Sequence, residues 1–87
     1  MFDIDWKPKA VKQLAKIKKN NADATKIIRA VETLADLPTA KDVVKALTNH
    51  QYGYRLKVGN YRVLFDARHQ IQIIDIQEVK KRDDNTY

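Results

Sequence analysis

The chain has 87 residues, no cysteine, and 17 lysines and arginines against 11 aspartates and glutamates, which leaves a net charge of +6. This length predicts one domain, residues 1–87, and the lack of cysteine excludes disulfides and thiolate zinc sites. The positive charge favours encounter with a polyanion such as RNA, DNA or an acidic protein, but a basic domain can also carry such charge for solubility alone.

Other features narrow the class of protein further. His50 and His69 are too few and too far apart for a usual metal cluster, so we expect no metal or other cofactor. Met1 to Trp6 alternate acidic and apolar residues, unlike a signal peptide. No apolar run approaches the roughly 20 residues needed to cross a bilayer. The sequence therefore predicts a soluble cytoplasmic protein.

The first predicted elements are a short strand and a basic amphipathic helix. Alternation over the strand places Phe2, Ile4 and Trp6 on one face. Pro8 suits the first turn of a helix, which we expect to extend to Lys19. Its apolar positions follow helical spacing and are Val11, Leu14, Ala15 and Ile17.

A second helix is predicted from about Asp23 to Asp36, after a break at Asn20 and Asn21. The apolar stripe of this helix consists of Ile27, Ile28, Val31, Leu34 and Ala35. Because the connection is short, the two helices should form an antiparallel hairpin. Pro38 disfavours helical geometry in the residue before it and so ends the second helix.

The segment from Thr39 to Gln51 has two interpretations. Lys41 to Leu47 could form a helical turn. Alternatively, Val43, Val44 and Leu47 anchor a loop that crosses the sheet. The pattern does not choose between them.

Three strands are predicted next, near Tyr52 to Val58, Tyr61 to Ala67 and Ile71 to Gln77. Gly59 and Asn60 favour a two-residue primed turn between the first two, which fixes the register of a hairpin. One face of that hairpin pairs Val58 with Tyr61, Leu56 with Val63 and Tyr54 with Phe65. On the other face, Arg55 lies opposite Leu64 and Lys57 lies opposite Arg62. Two cations directly opposite each other, such as Lys57 and Arg62, mildly destabilise a sheet unless a negative group covers them.

The last strand has isoleucines on both faces, which is typical of a central strand, and Glu78 to Tyr87 reads as a charged tail. The predicted order is β-α-α-β-β-β, an α+β fold in which a helical hairpin packs on one face of an antiparallel sheet. The other face is then open to a partner.

Hydrogen-bond donors dominate the open hairpin face and the tail. Arginine can hold a phosphate with two hydrogen bonds, lysine supplies a mobile charge, and tyrosine offers a proton or a stacking ring. Such groups suit RNA binding, and they can also stabilise the transition state of phosphodiester transfer without a metal. The donors are Arg55, Lys57, Arg62, Lys80, Lys81, Arg82 and Tyr87.

The chain resembles the RelE/ParE superfamily of bacterial toxins over almost its whole length. The resemblance rests on Val43 to Leu47, on Tyr54 to Phe65, on Lys81 to Asp83 and on Tyr87. It implies a RelE-like fold, a cognate antitoxin partner in a heteromeric complex, and one of two targets. The RelE branch cleaves mRNA in the ribosomal A site, whereas the ParE branch poisons DNA gyrase. We favour the RelE branch, with no metal required.

Residue roles follow from the resemblance. It implies that Arg55 and Lys57 neutralise the RNA backbone and that Arg62 stabilises the transition state. Lys81 or Arg82 would assist the leaving group, with Lys80 contributing to RNA binding, and Tyr87 would stack on a base or accept a proton. Many relatives carry a histidine in the terminal segment, where this chain has Lys80 to Arg82, so the acid and base stay open.

Each functional interpretation has a structural alternative. The hairpin cations could be solvated strand residues, the terminal cations an ordinary charged tail, and Glu78 a structural salt-bridge partner. The chain could also be a member that binds nucleic acid or its antitoxin without catalysis. His50 and His69 are predicted to be solvated. The remaining aromatic residues are predicted to lie in the core or at its rim and are Trp6, Tyr52, Tyr54 and Tyr61.

Overall fold

A computed structural model of the chain describes residues 1–17, 21–36, 44–48 and 50–81. A 3₁₀ turn, Thr33–Asp36, follows the second helix directly. The elements in chain order are β1 (Asp3–Trp6), α1 (Pro8–Ile17), α2 (Asn21–Glu32), β2 (Val44–Ala46), β3 (Tyr54–Val58), β4 (Tyr61–Arg68) and β5 (Ile73–Lys81). No helix among the described residues is long and apolar enough to span a membrane.

The strands form one sheet in the order β1-β5-β4-β3-β2, with β4 at its centre. β1 runs parallel to β5, and the other neighbours are antiparallel. The predicted α+β arrangement is confirmed, but the sheet is mixed and has one strand more than predicted. That strand is β2, which pairs Val44 with Leu56, so Val44–Ala46 forms a strand that neither interpretation predicted. Residues 39–43 of the ambiguous segment lie outside the described residues.

The hairpin of β3 and β4 has the predicted register. Leu56 pairs with Val63 and Lys57 pairs with Arg62. The turn between them has a positive φ of 54° at Gly59, which is the first central residue of the turn. A positive φ at that position is typical of a type II′ turn, whose twist matches that of the flanking strands.

Both helices pack on one sheet face and form the core with it. The α2 stripe is largely as predicted, with Ile27, Val31 and Leu34 buried. On α1 the prediction is partly wrong, because Val11 is 48% exposed and Ala15 is also exposed. The buried α1 residues are Ala10 and Leu14, one helical turn apart.

β5 extends well beyond its predicted end at Gln77. Glu78 to Lys81 belong to the strand and pair with β4, so they are not part of a tail. An irregularity in the pairing at Leu64 and Phe65 leaves Gln77 without a directly opposed residue. Such a bulge re-aims the side chains that follow it.

α1 lies along the edge of β5 where β1 ends. β1 pairs with β5 only as far as Ile76. Beyond that point, the Gln13 side chain accepts a hydrogen bond from the Val79 backbone N–H at 2.6 Å. α1 therefore lies beside the sheet edge, and its Lys9 reaches Glu78 on the face opposite the helices.

Candidate functional site

Three cations lie in one row across three adjacent strands on the sheet face opposite the helices. Lys57 of β3 pairs with Arg62 of β4, and Arg62 pairs with Lys80 of β5. We call these residues the cationic row. Neighbouring strands lie about 4.8 Å apart, and like charges directly opposite one another destabilise a sheet. An anion bound over the row would relieve that repulsion.

A second row lies next to the cationic row and adds two more cations. It runs from Lys45 through Arg55 and Leu64 to Glu78. The Nε atom of Arg55 is buried and has no hydrogen-bond partner among the residues that the structure describes. An unsatisfied buried donor is costly unless a ligand supplies an acceptor. The sequence prediction missed Lys45, although the alternation of Val44, Lys45 and Ala46 is a weak strand signal.

Glu78 is a buried carboxylate at the edge of these rows. Lys9 of α1 donates to its Oε1 atom at 2.9 Å, and Lys80 lies 3.9 Å from the same oxygen. Burial acts to raise the pKa of Glu78, but the hydrogen bond from Lys9 and the charges of Lys80 and Lys9 outweigh it and hold the pKa below its ordinary value. Glu78 also raises the pKa of Lys9. The predicted structural role for Glu78 agrees with this geometry.

The segment before β3 covers part of this face. The Gly53 N–H donates to Asp66 Oδ1 at 2.7 Å, and Gln77 donates to the other oxygen of the same carboxylate at 3.3 Å. Tyr52 lies close to Glu78; burial and the charge of that carboxylate raise the pKa of Tyr52. The prediction for Tyr52 is therefore wrong, since the ring is not packed against the core. The predictions for the other aromatic residues are confirmed, and those residues are Trp6, Tyr54 and Tyr61.

Three aspartates form a contrasting row at the other end of this face. Asp75 pairs with Asp66 on one side and with Asp5 on the other. We call these residues the acidic row. Arg68 binds Asp75 through two contacts of 2.7 and 2.9 Å. Lys7 contacts Asp5 at 2.8 Å and Asp75 at 3.3 Å, and the hydrogen bond from Lys7 lowers the pKa of Asp5.

Not every predicted site residue joins the cationic row. Lys81 pairs with Tyr61, whose hydroxyl donates to Asp23 of α2 at 3.0 Å, so Lys81 lies on the helix side of the sheet. There it lines a cleft of about 470 Å³. Arg82 and Tyr87 lie outside the described residues, and their roles stay predictions.

The arrangement is suited to holding a polyanion. Two rows of cations on a flat face can contact successive phosphates, and a guanidinium among them can bind one phosphate through two donors. Within the part of the chain that the structure describes, no three carboxylate or imidazole groups converge as a metal site would require.

Comparison with known proteins relates this fold to toxins. The sequence profile of the family described as the ParE toxin of the type II toxin-antitoxin system parDE matches residues 4–86. No curated protein matches the chain at a significant level.

Several solved structures share the fold. The toxin in an archaeal RelE-RelB complex from Pyrococcus horikoshii is 21% identical, with a TM-score of 0.78 over 95% of this chain and 97% of that one. A metal-bound toxin from Helicobacter pylori is 16% identical, with a TM-score of 0.77 over 100% of both chains. A chain of the RelBE2 toxin-antitoxin complex from Mycobacterium tuberculosis is 16% identical, with a TM-score of 0.76 over 93% and 98%.

Proposed function

We propose that this chain, which belongs to the ParE toxin family of type II toxin–antitoxin systems within the RelE/ParE superfamily, cleaves mRNA on the ribosome. The cationic row carries this proposal. Lys57, Arg62 and Lys80 lie side by side on the sheet face opposite the helices, where they concentrate positive charge that attracts an anion. The mRNA backbone supplies such an anion.

The proposed reaction is an internal phosphodiester transfer. A 2′-hydroxyl of the mRNA attacks the adjacent phosphorus, a P–O2′ bond forms and the bond to the 5′ oxygen breaks. The products are a 2′,3′-cyclic phosphate and a 5′-hydroxyl, so the proton lost by the 2′-hydroxyl is balanced by one gained by the leaving oxygen. Arg62 would stabilise the charge that develops on the nonbridging oxygens.

The other residues have supporting roles in this proposal. Arg55 and Lys57 would hold the flanking phosphates. Lys80 would extend the contact across β5. The resemblance assigns Arg82 to the leaving group and Tyr87 to stacking or proton acceptance. We propose charge stabilisation for Arg82, since an arginine rarely gives up its proton.

A cleavage assay tests the proposal. Purified toxin is added to ribosomes translating a defined mRNA, and the new 5′ ends are mapped. We expect cuts in phase with codons for the wild type, loss of the cuts for Arg62→Ala, and retention for Arg68→Ala, which removes a cation from the acidic row. No cleavage by the wild type, or equal cleavage by Arg62→Ala, would contradict the mechanism.

Inhibition of DNA gyrase is the second candidate function. It is favoured by the ParE description of the matching family. A supercoiling assay with purified gyrase separates the two candidates. Inhibition of supercoiling together with intact mRNA would replace the first proposal by the second.

We also propose an antitoxin as the protein partner, because the similar RelE-RelB and RelBE2 structures are complexes of this kind. An acidic segment of that partner would neutralise the cationic row. Titration of the toxin with its antitoxin should then abolish cleavage. Persistent cleavage when the complex is fully formed would exclude this mode of inhibition.

A further inference from the structure

Two aromatic side chains lie beside the cations without serving the core. His50 is exposed, and Tyr52 is half-buried and is not among the hydrophobic side chains that pack against the core. Their ring centroids are 6.1 Å apart, with the ring planes tilted by 46°. Because the rings are tilted and not stacked, they do not cover each other's faces.

Backbone contacts hold this pair in place. The Tyr52 N–H donates to His50 Nδ1 at 3.1 Å, so the imidazole is fixed relative to the tyrosine. The next residue, Gly53, is tied on one side to Asp66 at 2.7 Å and on the other, through its carbonyl, to the Leu47 N–H at 2.8 Å. A ring that is already ordered loses less conformational entropy when a ligand binds.

Tyr52 also lies near the cations. Burial and the charge of the Glu78 carboxylate raise the pKa of Tyr52. Glu78 in turn contacts Lys9 at 2.9 Å and Lys80 at 3.9 Å. Tyr52 is therefore one side chain removed from the cationic row. A polar aromatic beside a row of phosphate-binding cations is the combination that single-stranded nucleic acid binding uses.

We propose that His50 and Tyr52 form a stacking subsite for an unpaired base of single-stranded RNA whose backbone lies along the cationic row. The inference rests on the proposed function, because it takes RNA as the ligand. It adds a contact to the base, whereas the cationic row contacts the backbone. The subsite is indifferent to base identity, since every base offers an aromatic face.

A binding experiment tests the subsite without cleavage. The probe is a short single-stranded RNA with 2′-O-methyl groups, which cannot be cleaved by internal attack, and the reference probe has the same backbone with abasic residues. Anisotropy should show wild-type toxin binding the base-bearing probe at least about fivefold more tightly than the abasic one. Equal affinity for the two probes would overturn the subsite, and this comparison needs no variant.

Matched variants locate the effect. Tyr52→Leu should reduce the preference for the base-bearing probe, whereas Tyr52→Phe should keep it, because stacking needs the ring and not the hydroxyl. His50→Ala should reduce it in part. Retention of the full preference in both Tyr52→Leu and His50→Ala would overturn the assignment.

Salt dependence separates loss of stacking from general damage. The slope of log affinity against log salt reports phosphate contacts, so it should be the same in Tyr52→Leu and the wild type. A reduced slope would show that the substitution disturbs the cationic row and would count against a stacking role.

The two proposals can fail separately. Absence of ribosomal cleavage with base-dependent binding intact would exclude the proposed reaction and leave the subsite standing. Ribosomal cleavage together with equal binding of both probes would exclude the subsite and leave the proposed reaction standing.

Discussion

The sheet face opposite the helices carries two rows of like charges, and the two rows are neutralised differently. In the acidic row, Arg68 and Lys7 bind Asp75 and Asp5 at 2.7 to 3.3 Å. At the cationic row, Glu78 lies 3.9 Å from Lys80 and makes its short contact with Lys9, outside the row.

This difference separates a structural role from a binding role. Charges that are paired at hydrogen-bond distance and partly buried contribute to folding, and removal of one partner leaves the other poorly satisfied. Charges held side by side raise the energy of the free protein and strengthen attraction for an external anion. The acidic row should therefore determine stability, and the cationic row should determine activity.

The largest expected effect is loss of cleavage in Arg62→Ala. Removal of one donor aimed at developing charge typically costs about 10²- to 10³-fold in rate. The free energy of unfolding should fall by less than about 1 kcal/mol, because removal of the half-buried Arg62 side chain also relieves its repulsion with Lys57 and Lys80 on either side. Arg62→Lys is the matched control and should retain part of the activity through its charge. Cleavage rates on ribosomes and urea unfolding measure the two quantities. A stability loss above about 1 to 2 kcal/mol, the size expected for a charged hydrogen bond within the fold, would remove the contrast.

The reverse effect is expected for Arg68→Ala. Asp75 is 5% exposed and would lose its two contacts with Arg68. The free energy of unfolding should fall by about 1 to 2 kcal/mol, at the lower end for charged hydrogen bonds because the Arg68 side chain is 47% exposed. Cleavage should be unchanged under conditions where the variant is folded. Unchanged stability combined with lost cleavage would invert the assignment of the two rows.

A smaller effect on stability is expected at the Gly59 turn, which sets the pairing of Lys57 with Arg62. Gly59 has a φ of +54°, and a Cβ added there would meet no atom within 4 Å. Gly59→Ala should therefore cost only backbone strain, about 1 kcal/mol in the free energy of unfolding. Asn60→Ala is the control, because Asn60 does not have a positive φ. Equal costs for both substitutions in thermal unfolding would exclude strain at Gly59 as the cause.

The smallest effect concerns acid stability and Glu78. The folded-state pKa of Glu78 lies below its ordinary value of 4.5, so its ionised form stabilises the fold above that pH. This contribution should be lost as pH falls from about 4.5 through the lower folded pKa. In Glu78→Gln that part of the pH dependence should be absent. The difference should be below about 1 kcal/mol, because its partner Lys9 is 63% exposed. Identical pH profiles of urea unfolding for the wild type and Glu78→Gln would contradict a stabilising role of the ionised Glu78 side chain.

Local patterns predicted the hairpin and the helices well. Alternation and a Gly-Asn turn fix which residues of β3 and β4 lie opposite each other, so the pairing of Lys57 with Arg62 was predictable and is confirmed. The stripe of α2 was also predictable, because its apolar residues recur at helical spacing and all face one sheet.

The errors fall where distant segments meet. β2 is a three-residue strand that pairs with β3, and so short a run has little periodicity of its own. The charged end of β5 looked like a tail, because its strand character depends on pairing with β4. Tyr52 looked like a core residue, because nothing in its neighbourhood along the chain shows that Asp66 anchors the segment on the opposite face.

The local sequence thus determined the hairpin, its register and the pairing of Lys57 with Arg62. These features depend on the turn residues and on the alternation of side chains between the two faces of a strand. Long-range contacts extended that pair into a row by adding Lys80, brought Lys9 of α1 around the edge of β5, and moved Lys81 to the helix side. Such contacts depend on which strands become neighbours and on where a bulge re-aims a side chain. Neither is encoded within a single stretch of the chain.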